Sequence, residues 1–194
     1  YLSDADKSYR AELTLGIATD SGDDTGNIIA SQEDFTLPSP QELDAVLQQF
    51  TGEILQVPPA YSAIKIHGQR ACDLARQNIA VEIPERRVQI YRLELLAQRG
   101  NTLLLDVDCS KGTYIRSLAA DMARSMGTAG HVSFLLRTSA GGGDIGDAYT
   151  LDEIRRMTEK GDFGFVKPVG DALAGYKSCQ LDDYLFPIVT TGTP

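Results

Sequence analysis

Asp108-Cys109-Ser110-Lys111-Gly112-Thr113-Tyr114-Ile115-Arg116-Ser117-Leu118 closes one element, turns on a glycine and opens another. Behind it, 103–109 (LLLDVDC) alternates in the strand manner. Ahead of it, 113–126 carries Ile115, Leu118, Ala119 and Met122 at helical spacing, and Gly127 stops the run. Moving outward, 88–95 alternates as a strand, with Arg99-Gly100-Asn101 as the turn between it and its successor, and 131–136 reads as a further strand. In 9–16, Tyr9, Ala11, Leu13 and Leu15 fall on one strand face. Ser39, Pro40 and Glu42 spell an N-cap, a first-turn proline and a capping box, and Leu43, Val46, Leu47 and Phe50 give the helix that follows an apolar face. Short helices are expected over 71–77 and 151–157. The segment 20–26 (DSGDDTG) reads as a turn-rich loop, and Gly141-Gly142-Gly143 as a joint. Strands and helices mingle without a regular βαβ rhythm. The fold class expected is α+β, with a mixed, mainly antiparallel sheet flanked by helices.

At 194 residues and 42% hydrophobic content, the chain can build a real core. No apolar run approaches the roughly 18 residues of a membrane span, and 1–6 lacks the basic and apolar parts of a secretory leader. The chain opens without Met, almost directly on a strand, so a missing N-terminal segment is expected. Cys72, Cys109 and Cys179 are widely spaced and suit free thiols in a reducing cytoplasm, and with His67 and His131 as the two histidines a zinc site has few ligands. The net charge of −9 argues against nucleic acid at first sight. Between 61 and 124, however, ten Lys and Arg face seven Asp and Glu, a local +3 that leaves −12 elsewhere. A basic middle within an acidic protein is compatible with RNA without requiring it.

Lys111, Tyr114 and Arg116 would gather near a helix N-terminus, where backbone N–H groups favour an anion and an arginine can grip a carboxylate or phosphate with paired hydrogen bonds. Taken alone, these residues favour a plainer strand–turn–helix with an internal ion pair. Tyr9 at a strand start suits packing, or stacking on a base. Asp20, Asp23 and Asp24 lack the ligand spacing of a calcium loop and read as a turn. Nucleophilic-serine, dinucleotide and phosphate-loop motifs are not found in the sequence.

Four blocks in order resemble the TruB family, the bacterial tRNA pseudouridine synthases that act on the T-loop uridine at position 55. They are DKSYRAELTLG with TDSGD (6–16 and 19–23), QVPPAYSAIK (56–65), CSKGTYIRSL (109–118) and HVSFLLRT (131–138). The resemblance implies the pseudouridine synthase catalytic fold, incomplete here. It implies that Tyr9 packs on the target uracil and assists proton removal, and that Arg116 pairs with the catalytic aspartate. Tyr114 and Leu135 would line the uridine pocket, with Lys111 beside the substrate. Tyr61, Lys65 and Arg70 would belong to an RNA-clamping thumb at about 57–85. The family's nucleophilic aspartate lies in a Gly-x-Leu-Asp-Pro motif ahead of the first block; that motif does not occur in these 194 residues, and none of the 27 acids takes the role. Cys72 stands about where the family often has an aromatic residue. The domain organisation expected is a catalytic domain over 1–170 lacking its N-terminal part, then a linker and the start of a truncated PUA-like domain over 171–194, with 184–194 as its first strand. A base that is detached, turned and rejoined must leave the stack for a fitted pocket, and its carboxylate nucleophile needs a fixed cation. No metal or cofactor is required. The implied partner is the tRNA T-arm, bound by a cytoplasmic monomer away from any membrane. Two alternatives remain: a non-catalytic tRNA-binding or tRNA-folding module, and a paralogue with a structural role.

Overall fold

The computed structural model describes residues 4–32, 34–77, 79, 81–173 and 175–192. In chain order the elements of its first part are β1 (Lys7–Leu15), β2 (Ile17–Thr19), β3 (Ile28–Ser31), α1 (Pro40–Gln49), β4 (Gly52–Gln56), β5 (Lys65–Ile66), β6 (Gln69–Arg70), α2 (Ala71–Arg76), β7 (Arg86–Arg99), β8 (Thr102–Cys109), α3 (Ile115–Ser125), β9 (Gly130–Ala140) and β10 (Gly143–Asp144). Six strands form one sheet in the order β10-β9-β1-β8-β7-β4, and each of its pairings is antiparallel. The α+β class and the antiparallel character expected from the sequence are both found.

The two faces of the sheet follow from the period of two. Ala11, Leu13 and Leu15 of β1 turn inward with Leu103, Leu105, Val107 and Cys109 of β8 and Ile90 of β7. Against them pack Leu118, Met122 and Ala123 of α3 and Leu43 and Val46 of α1. Each Leu, Ile, Val or Met among them, fully buried, contributes on the order of 1.5–3 kcal/mol. The opposite face carries a charge ladder. Arg10 grips Asp106 across β1 and β8 with two hydrogen bonds (2.8 and 3.0 Å), and Arg92 bonds Asp108 across β7 and β8 (2.7 Å) and Glu94 along its own strand (2.6 Å). Those arginines hold Asp106 and Asp108 below the ordinary carboxylate range, although burial pulls the other way.

Helix α1 begins as its sequence dictates. Ser39 caps it, and Glu42 reaches back to the Ser39 N–H (2.7 Å). Several elements were not expected from the sequence, among them β2, β3 and β4. β4 extends the sheet at its edge beside β7, and β2 and β3 pair on either side of the acidic loop. β3 is exposed along its whole length and β4 is five residues long, so neither shows a long alternating run.

By its contacts the chain divides into Tyr1–Ala148 and Tyr149–Pro194. The second unit holds α4 (Leu151–Glu159), α5 (Val169–Ala172) and α6 (Phe186–Thr191). α4 carries a capping box of Thr150 and Glu153 and buries no residue. Tyr149, Phe163 and Phe165 form an aromatic cluster with ring centroids 6.2–6.5 Å apart. The strand expected over 184–194 is corrected: Asp183–Leu185 is a 3-10 turn and α6 follows, while 193 and 194 lie outside the described residues. Pro187 sits in the first turn of α6, where its fixed φ suits a helix and its missing N–H costs nothing; in a strand it would remove a ladder bond. Among the described residues, no helix is long and apolar enough to cross a membrane.

Candidate active site

Arg116 lies in the first turn of α3 with its side chain 20% exposed. Its Nη1 donates to the Ser21 carbonyl (2.7 Å) and to Oδ2 of Asp23 (3.1 Å), and its Nη2 donates to the Tyr61 carbonyl (2.8 Å). Among the described residues, three of the five guanidinium N–H groups are thus engaged. The arginine borders a cleft of about 260 Å³ shared with Asp20, Ser21, Asp23, Tyr61 and Arg76.

The loop that supplies Asp23 is itself pinned. Thr19 Oγ1 donates to the Asp23 carbonyl (2.7 Å), Val132 N–H to the Gly22 carbonyl (3.0 Å), and Asn27 to both oxygens of Asp20 (2.9 and 3.1 Å). Gly22 takes φ +77°, and a side chain there would crowd the Arg116 Cβ; one at Gly26 would strike Ser21 and Asp20. Burial pushes the Asp23 carboxyl up, but hydrogen bonds from Thr25 and Ser21 and the Arg116 charge together hold it below the ordinary range. The sequence marks this stretch as a turn, which it is. It does not mark Asp23 as the carboxylate against Arg116, because 93 residues separate the pair.

Lys111, Tyr114 and Arg116, expected to gather at the helix start, go to three different partners. Lys111 ion-pairs with Asp4 (3.0 Å). Tyr114 is the N-cap of α3, and its main chain is held at both ends by Gln56: its N–H donates to Oε1 (2.8 Å) and its carbonyl accepts from Nε2 (3.1 Å). Gln56 is 2% exposed, and sequence reasoning missed it. A buried amide must find partners, but nothing in the sequence beside Gln56 marks it as buried. Ser117 Oγ adds a bond to the Val57 carbonyl (2.7 Å), so the end of β4 and the start of α3 are sewn together.

Tyr9 stands opposite Arg137 on β9 beside a register shift between Ser8 and Tyr9, and Ala11 stands opposite Leu135. Directly paired residues share a face, so Tyr9, Leu135 and Arg137 occupy the core face of the sheet. That face is incompletely covered there: Leu135 is 44% exposed and Tyr9 is half-buried. Burial raises the Tyr9 phenol above its ordinary value against the opposing influence of Arg137, so the hydroxyl keeps its proton at neutral pH.

Lys65 and Arg70 lie directly across from one another in the β5–β6 hairpin, both exposed. The two-residue turn between the strands is His67-Gly68 with φ +49° and +85°, the positive angles that a tight hairpin needs. Two cations facing each other repel, and an anion between them relieves the repulsion. Tyr61, expected on the RNA, gives its carbonyl to Arg116. Among the described residues, no group of three or more His, Cys, Asp or Glu is placed to hold a metal ion.

Residues 1–115 match the family described as TruB family pseudouridylate synthase (N terminal domain). The chain is 44% identical over 186 residues to tRNA pseudouridine synthase B of Caldanaerobacter subterraneus subsp. tengcongensis, a match covering 94% of this chain and 62% of that protein. It is likewise 44% identical over 158 residues to tRNA pseudouridine synthase B of Francisella tularensis subsp. holarctica, covering 81% of this chain and 52% of that one. It therefore spans between half and two thirds of the length of these relatives. Among solved structures, a Cbf5-Nop10-Gar1 complex shares the fold at TM-score 0.71 and 24% identity, over 99% of this chain and 50% of that one. An H/ACA RNP bound to a substrate RNA containing 2'-deoxyuridine does so at TM-score 0.59 and 23% identity, over 89% and 43%. The match over 1–115, with the identity to these relatives over most of the chain, places this chain in the TruB family of pseudouridylate synthases.

Proposed function

We propose that the protein to which this chain belongs converts the T-loop uridine at position 55 of tRNA to pseudouridine, and that this chain supplies the residues which hold the uracil and orient the nucleophile. The observation that carries the reading is the anchoring of Arg116. Three of its N–H donors are held by the Ser21 and Tyr61 carbonyls and Asp23, and among the described residues two are left for an incoming carboxylate. An aspartate nucleophile must be ionised and aimed, and a guanidinium that cannot swing does both at little entropic cost. The nucleophile belongs to the family's Gly-x-Leu-Asp-Pro motif in the full-length protein.

Tyr9 offers its ring to the extruded uracil, and its protonated hydroxyl serves in the proton step at C5 as a relay. Leu135 closes the apolar side, and Tyr114, fixed by Gln56, shapes the pocket next to α3. The thumb at about 57–85 clamps the RNA through Lys65 and Arg70 while Tyr61 braces Arg116. Residues 1–170 act as the catalytic domain without its N-terminal part, and 171–194 as the linker to a PUA-like domain. The protein acts as a cytoplasmic monomer without a cofactor.

The test uses the full-length protein on an unmodified tRNA transcript, with pseudouridine mapped by mass spectrometry. Conversion of the T-loop uridine is expected. Tight tRNA binding with no conversion would replace this reading by the non-catalytic tRNA-binding module.

A further inference from the structure

Tyr9 has a cationic neighbour that the chemistry described so far leaves without a role. In the antiparallel pairing of β1 with β9, Arg137 stands directly across from Tyr9, and Leu135 stands across from Ala11. Tyr9, Leu135 and Arg137 therefore share one end of the core face, and there both Leu135 and Arg137 are exposed. Burial pushes the Tyr9 phenol up, and the Arg137 guanidinium is close enough that its charge and a hydrogen bond from it pull the other way. Lys7 lies two residues before Tyr9 on the same face of β1, across from Cys109 of β8, and its ammonium donates to the Ala5 carbonyl (2.6 Å).

Several arginines of the same sheet are committed to carboxylates. Arg10 holds Asp106, Arg87 holds Glu53, and Arg92 holds Asp108 and Glu94. Among the described residues, Arg137 forms no ion pair. A guanidinium with no acid partner presents N–H donors in a planar fork, the arrangement that matches a phosphate. Under the proposed function, a phosphate arrives with the substrate. A uridine that leaves the stack turns about its backbone and carries its phosphodiester with it. A base lying on the Tyr9 ring brings that group to the rim of the pocket, where Arg137 stands.

We propose that Arg137 binds a phosphate of the extruded uridine, so that the pocket grips the nucleotide at two points, the base on Tyr9 and Leu135 and the backbone on Arg137. The proposal rests on the reading of Tyr9 and Leu135 as the residues that meet the uracil. A base held by its faces alone can still pivot about its backbone. Fixing the phosphate removes that freedom before the bond to the sugar breaks, so the contact serves the rate as well as the affinity. It also sets Arg137 apart from Lys65 and Arg70. The hairpin pair can meet phosphates whether or not the uridine has turned out, whereas Arg137 meets its phosphate only once it has.

The test pairs a protein change with an RNA change. A tRNA assembled by ligation carries one neutral methylphosphonate in place of the phosphate on either the 5′ or the 3′ side of the target uridine. Each tRNA is given to the full-length protein and to its Arg137→Ala variant. One of the two replacements is expected to lower the single-turnover rate of the unaltered protein roughly ten- to a hundredfold, and Arg137→Ala is expected to do the same to natural tRNA. Combined, the two changes should cost little more than either alone, because each removes the same contact. Arg137→Gln, similar in length and without the charge, repeats the cycle with a side chain that keeps its packing on β9. Lys65→Ala is the control, and its loss should multiply in full with that of the methylphosphonate. Losses that multiply for Arg137 at both flanking phosphates overturn the proposal, since the arginine would then act on the Tyr9 hydroxyl alone. If the unaltered protein makes no pseudouridine from natural tRNA, the functional reading fails by itself, and the same cycle read in tRNA affinity decides the phosphate contact.

Discussion

Arg116 and Arg70 carry the same guanidinium in opposite settings. Arg116 is mostly buried in the first turn of α3 and is tied to two carbonyls and a carboxylate from segments far along the chain. Arg70 ends a two-residue strand, exposed, directly across from Lys65. The first can fix a reacting group in place but reaches little beyond its own cleft. The second pair can attract phosphates from a distance and settle against whatever backbone arrives. Under the proposed function, the molecule separates charge used for geometry from charge used for attraction, and the two should respond differently to mutation, salt and pH.

The largest effect should come from Arg116→Ala in the full-length protein. It is expected to lower kcat about a hundredfold or more while tRNA affinity changes little; an equal fall in affinity would erase the distinction between the two sites. Asp23→Asn keeps the loop shape and removes the charge that steadies Arg116. A smaller loss, on the order of tenfold in kcat, is expected, and single-turnover rates at saturating tRNA would show it. Lys65→Ala and Arg70→Ala should leave the single-turnover rate intact. Each should weaken tRNA binding by roughly three- to tenfold and reduce the slope of log affinity against log salt by about 0.7–0.9 for every phosphate no longer neutralised. An unaltered salt slope would remove the hairpin from the RNA-binding surface.

The smallest effect is on acid stability. Asp23 has a depressed folded value, so its contribution is complete above the ordinary carboxylate pKa, about 4, and disappears as pH falls through the lower folded value. Hydrogen exchange of the 20–26 loop should therefore accelerate only below that ordinary value. The β5–β6 hairpin, 65–70, contains no carboxylate, so its exchange should not respond over the same range. A hairpin that changed in step with the loop would show the two regions to be one cooperative unit.

What the sequence discloses follows the range of the interactions. The inward face of β1 is legible because Ala11, Leu13 and Leu15 alternate, and the start of α1 because Ser39 and Glu42 are three residues apart. The boundaries of β8 and α3 follow from the turn at Gly112. Asp23 against Arg116 and Gln56 against Tyr114 span 93 and 58 residues, and nothing local distinguishes that aspartate from its neighbours Asp20 and Asp24 or that glutamine from a solvated one. The helix at 186–191 reads as a strand in the sequence because Phe186, Ile188 and Val189 suit either form; Pro187, which favours a first helical turn over a strand interior, is the residue that separates the two.

The anchoring of Arg116 also bears on the order in which the protein acquires its abilities. The β5–β6 hairpin joins residues a few positions apart and can close early, whereas the arginine is aimed only after 21–23, 61 and 116 have met. Under the proposed function, a nascent chain with only the hairpin formed meets RNA before it has chemistry to perform on it. On that reading, competence to react is the last property to mature, and it arrives as a report that distant parts of the fold are in place.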